Sequence, residues 1–157
     1  MATKTATPKP VDRTGKADKF TDEELAAARE RAKELKAQAK RKGGDERELG
    51  EQDVLAKIKD MPEADRVLAE RIHALVTQAA PTLVPRTYYG MPAYAKDGKV
   101  LCFFQPASKF KVRYATLGFE TVSKLDDGVM WPTAWAITKL SKAEEARIVE
   151  LVKRAVG

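Results

Sequence analysis

The chain has one cysteine and one histidine. A lone Cys102 excludes an intramolecular disulfide and a multi-cysteine metal site. A lone His73 excludes a His-pair metal site. No apolar run approaches the roughly 20 residues needed to cross a bilayer. Met1–Lys19 lacks the apolar stretch of a secretory signal. No glycine-rich phosphate loop, nucleophile elbow or metal-protease signature is present, and Gly90-Met91-Pro92 lacks the glycine spacing of a nucleotide loop. These absences point to a non-enzymatic, cytoplasmic binding protein with no membrane partner.

The 157 residues allow one domain plus an extension. The hydrophobic fraction of 43% is ordinary for a globular protein. The net charge of +6 favours anionic partners through long-range attraction.

Residues 1–20 are rich in Lys, Thr and Pro and read as a disordered basic tail. Thr21-Asp22-Glu23-Glu24 is a capping box opening a helix to Lys42, which Gly43-Gly44 stops. This extension, 21–43, has an apolar stripe made mostly of Ala: Leu25, Ala28, Ala32, Leu35 and Ala39. It reads as a loosely docked, solvated helix or, through its basic last turns Lys36–Lys42, as an arm for an acidic partner.

The compact domain is expected over 53–157. Val54, Leu55, Ile58 and Met61 form a turn or two of helix, and Pro62 starts a helix to Ala80. Leu68, Ile72, Leu75, Val76 and Ala79 share its inner face; Glu63, Arg66, Glu70 and Thr77 share the outer one. Asp65 suits the helix dipole in the first turn. Strands are expected over Met91–Lys96, Lys99–Gln105, Lys109–Leu117 and Thr133–Leu140, with a hairpin turn at Asp97-Gly98. Val100, Cys102 and Phe104 point one way, Leu101 and Phe103 the other. A last helix, 142–156, starts from a Ser141/Glu144 box and turns Ala146, Val149, Val152 and Val156 inward. The pattern is α+β: an antiparallel sheet of four or more strands, with N- and C-terminal helices on one face and a helical N-terminal extension.

Two surfaces attract attention. Lys109, Lys111 and Arg113 recur at period two, so on a strand they would project about 6–7 Å apart, near the spacing of phosphates. With Phe103 to stack a base they form a candidate site for RNA or another polyanion; the alternative is a solvated, aggregation-resistant face. Tyr88, Tyr89, Gly90, Met91 and Tyr94, with Trp131, form either a structural corner or the wall of a small-molecule pocket. His73 reads as a helix-flank residue and Cys102 as core.

The segment Tyr89-Gly90-Met91-Pro92-Ala93-Tyr94, the strand Val100-Leu101-Cys102-Phe103-Phe104 and the helix before them resemble the YdhG-like family. That is a bacterial domain of unknown function related to frataxin-type iron chaperones. The resemblance covers 53–156 and implies a frataxin-like fold, weak iron binding and delivery to an iron–sulfur assembly protein. The family's carboxylate ridge would fall on helix 62–80, where Glu63 and Glu70 are the metal candidates, with Asp126 and Asp127 in a turn as further oxygens. Arg66 sits between Glu63 and Glu70 at ion-pair spacing, which disfavours a cation there.

Overall fold

A computed structural model describes residues 20–41 and 44–157. The expected tail, apart from Phe20, and the Gly43 stop lie outside the described residues. Four helices are present: α1 Asp22–Ala39, α2 Asp45–Lys59, α3 Glu63–Ala79 and α4 Lys142–Val156. Five strands, β1 Val84–Tyr88, β2 Met91–Lys96, β3 Lys99–Gln105, β4 Ala115–Phe119 and β5 Ala134–Ile137, make one antiparallel sheet in sequential order. The architecture is α+β, as the pattern predicts.

Both capping boxes form. Thr21 and Glu24 reciprocate at the start of α1, and Ser141 and Glu144 at the start of α4. The Asp97-Gly98 turn also forms, with φ of 50° and 77°.

The core lies between the sheet and α3 and α4. Tyr94 faces Cys102, Cys102 faces Phe119 and Phe104 faces Leu117 across neighbouring strands. Ile72, Leu75 and Val76 from α3 cover them, with Ile148, Leu151, Val152 and Ala155 from α4. Ala146, expected inward, is exposed, because α4 turns its larger aliphatics to the core instead.

The structure differs from the pattern in five further respects. Helix α2 runs fifteen residues from Asp45, not a turn or two from 53. Its start carries Asp45, Glu46 and Glu48 and its end Lys57 and Lys59, which suits the helix dipole rather than any apolar stripe. Strand β1 is additional, and Pro85 within it is tolerated because β1 is an edge strand. The β2–β3 pairing shifts register between Tyr94 and Ala95, so that Ala95 faces Val100 and Leu101 is the extra residue of a bulge. Leu101 therefore joins Cys102 in the core, leaving Phe103 on the opposite face. Finally, Lys109–Leu117 is not one strand: Ala107–Phe110 is a 3-10 turn, Lys111 is left-handed at φ 53°, and β4 begins only at Ala115. Strand β5 is likewise shorter than expected, four residues ending at Ile137.

Helix α2 crosses β1 at Gly50, where a Cβ would lie 2.0 Å from the Pro85 carbonyl oxygen. In an isolated helix Gly50→Ala would gain about 1 kcal/mol of propensity. Here overpacking against backbone reverses the sign, and we expect a net loss of about 1–3 kcal/mol in urea denaturation.

Candidate functional site

The tyrosine segment is a hairpin corner. Strand β1 ends at Tyr88, β2 begins at Met91, and Tyr89-Gly90 is the two-residue turn between them, with φ of 52° and 75°. The Glu34 carboxylate of α1 accepts from both turn N–H groups, at 2.8 Å from Tyr89 and 2.5 Å from Gly90. The Arg31 guanidinium sits 4.8 Å from the Tyr88 ring centroid and 5.6 Å from that of Tyr89. The Tyr88 hydroxyl donates to Glu120, and its ring packs on Phe103, whose own ring lies over Gly118.

The six residues of the proposed aromatic pocket do not share a cavity. Tyr94 is 1% exposed, deep in the core. Met91 is buried at the start of β2. Trp131 lies on the β4–β5 loop, packed against the core, and borders two small cavities of about 240 and 480 Å³ that no tyrosine lines.

His73 is not a helix-flank residue but a buried one. Its Nδ1 is 2.9 Å from the Tyr94 hydroxyl and its Nε2 is 3.3 Å from Glu51. Burial pushes the Tyr94 hydroxyl well above the usual phenol range and the Cys102 thiol up to about 12. Cys102 is thus an unreactive core thiol at neutral pH.

The expected basic stripe is dismantled by the 3-10 turn. The Lys109 ammonium pairs with Glu30 at 3.1 Å, and Lys111 with Glu23 at 2.5 Å. Arg113 lies over the Tyr114 ring. Phe103 is half-buried under Tyr88. These four residues do not form a row on one sheet face.

The metal candidates are dispersed. Glu63 and Glu70 border an open groove of about 910 Å³ beside α3, and Arg71 and Glu145 pair within it. Asp126 and Asp127 are exposed on the β4–β5 loop. Among the described residues, no three His, Cys, Asp or Glu side chains are grouped to hold a metal ion. Asp65 is buried and does more than complement a dipole: it accepts from the Ala107 and Ser108 N–H groups and the Ser108 hydroxyl, fixing the 3-10 turn to α3.

Helix α1 is the element that sequence reading placed least well. Its docking face is Glu23, Ala27, Glu30, Glu34 and Gln38, at helical spacing but polar. Besides the contacts above, Gln38 donates to the Thr87 carbonyl, Lys57 of α2 donates to Glu30, and Arg41 pairs with Asp53. Burial pushes the Glu30 carboxyl up, but the hydrogen bonds from Lys57 and Lys109 outweigh it and hold it below the usual range. An apolar-pattern search misses this face because only Ala27 and Glu34 are buried in α1.

A second face of α1 carries Arg29, Lys33, Lys36 and Lys40 at 4-3-4 spacing, all exposed. None of the four forms an ion pair among the described residues. Eleven residues of helix place them along about 16 Å. Arg29 and Lys33 also border a groove of about 550 Å³ between α1 and α2, to which Arg41 and Lys57 contribute. The spacing was readable in sequence; what was not readable is that α1 is docked through its opposite face, which leaves the ridge outward.

No helix among the described residues is long and apolar enough to cross a membrane. Comparison with protein-family models, curated proteins and solved structures gave no match.

Proposed function

We propose that the chain is a non-enzymatic binding protein that takes single-stranded RNA along the α1 ridge. The observation that supports this reading is the row of four exposed cations, none in an ion pair among the described residues, on a helix docked to a folded domain. Lys57, Lys109 and Lys111, on the side that α1 covers, are paired with its carboxylates, whereas the ridge cations have no carboxylate partner among the described residues. A docked helix loses little further entropy when a phosphate chain lies along it, which favours binding over a free basic tail. The overall positive charge adds attraction at a distance.

The test is fluorescence anisotropy with a labelled oligo(U) of about 12 nucleotides. Four phosphate contacts at about 0.7 each give a log–log salt slope of about −3. Arg29→Gln, Lys33→Gln, Lys36→Gln and Lys40→Gln together should flatten that slope by the same amount while the circular dichroism stays unchanged. A wild-type affinity that ignores salt would sink the reading.

A further inference from the structure

Beneath α1 lies a surface with the makings of a ligand site. Two N–H groups, from Tyr89 and Gly90, converge on one point, where the two Glu34 oxygens now sit. Paired turn N–H groups of this kind are anion receptors. The ammonium groups of Lys57 and Lys109 converge on a second point, now filled by Glu30. Lys111 holds a third anion, Glu23. Next to the turn the Tyr88 ring offers a face, covered by the planar Arg31 guanidinium.

Helix α1 thus presents to this surface what a single strand would present: a row of anions with a planar group over an aromatic ring. Besides these polar contacts the helix is held by the buried Ala27 and by Gln38, which donates to the Thr87 carbonyl. Leu25 and Leu35 are 42% and 51% exposed, so no apolar stripe anchors it. The Lys111–Glu23 and Lys57–Glu30 pairs are open to solvent, hence screened by salt and exchangeable for other anions, whereas the Glu34 contact is buried and screened much less. A Cβ on Gly90 would meet the Glu30 carboxylate at 2.2 Å, so the corner receives the acidic helix at close quarters.

We propose that the surface formed by the Tyr89 and Gly90 N–H groups, Lys57, Lys109, Lys111 and the Tyr88 ring is a second binding site, for single-stranded nucleic acid, which the carboxylates of α1 fill until a strand displaces them. The site does not depend on the α1 ridge, which lies on a different face of the helix. Phosphates take the places of Glu34, Glu30 and Glu23, and a base takes that of Arg31.

The test uses the full chain with the ridge neutralised by Arg29→Gln, Lys33→Gln, Lys36→Gln and Lys40→Gln, so that ridge binding contributes nothing. To this background are added Glu23→Gln, Glu30→Gln and Glu34→Gln or, as a control of equal charge change, Glu63→Gln, Glu70→Gln and Glu150→Gln. With labelled oligo(U), the first set should bind about tenfold tighter than the control, as expected when three competing anions are removed. Adding Lys57→Ala and Lys109→Ala should abolish that gain. Equal affinity of the two sets, or a gain that survives loss of both lysines, would overturn the proposal. Should the first set fail to fold, hydrogen exchange decides in the ridge-neutralised chain with its carboxylates intact. Saturating oligo(U) should speed exchange across residues 22–39, and unchanged or slower exchange there would overturn the site.

Discussion

Tyr94→Ala should lower the unfolding free energy by about 3–5 kcal/mol, the range for truncating a fully buried aromatic side chain. Tyr94 is 1% exposed and stands opposite Cys102 in the middle of the core. Truncation leaves a cavity lined by residues of α3 and the sheet, and it strips His73 Nδ1 of its buried partner. Tyr94→Phe isolates the second effect: it keeps the volume, removes the hydroxyl and should cost about 1–3 kcal/mol, the penalty for one orphaned buried polar group. Guanidinium denaturation of both variants measures the difference. A Tyr94→Ala midpoint close to wild type would mean that this aromatic is not a core residue, and the pocket reading of the tyrosine segment would regain ground.

Asp65→Ala should cost about 3 kcal/mol or more, since bonds to a charged acceptor contribute about 1.5–3 kcal/mol each. The Asp65 carboxylate is 5% exposed and accepts three hydrogen bonds, at 3.0 Å from Ala107 N, 3.1 Å from Ser108 N and 2.5 Å from the Ser108 hydroxyl. It takes the place of the side-chain cap that the 3-10 turn lacks. Its loss frees the segment 107–111, so amide exchange there should rise more than in the neighbouring strands. Loss of stability without faster exchange at 107–111 would assign the effect to α3 instead.

Sequence periodicity carried the fold a long way and the surface much less far. Helices α3 and α4, strands β2 and β3 and both capping boxes were legible because each is a local signal: apolar spacing, a turn dipeptide, or a Ser/Thr-x-x-Glu pattern. Lys109–Leu117 misled because Lys and apolar residues alternate there as in a strand, while the chain is governed by Asp65, more than forty residues earlier in sequence, and by a left-handed Lys111. Leu101 and Val100 exchanged faces because a bulge adds one residue and leaves no compositional trace. The docking of α1 was invisible for a different reason. Its contacts are carboxylates to N–H and ammonium groups, and no hydrophobic periodicity marks them. The acidic residues at 23, 30 and 34 do share a helical face, but only the folded hairpin supplies the N–H pair that gives Glu34 its purpose.

The strand order has a kinetic consequence. Every strand pairs with its immediate predecessor in the chain, from β1 through β5. Each pairing closes only the loop between consecutive elements, so the sheet can grow one hairpin at a time with small loop-closure entropy at each step. Helix α1 meets the corner only after Tyr89 and Gly90 have turned, since the groups that receive Glu34 do not converge before then. The docking of the extension accordingly waits on the closing of the β1–β2 hairpin.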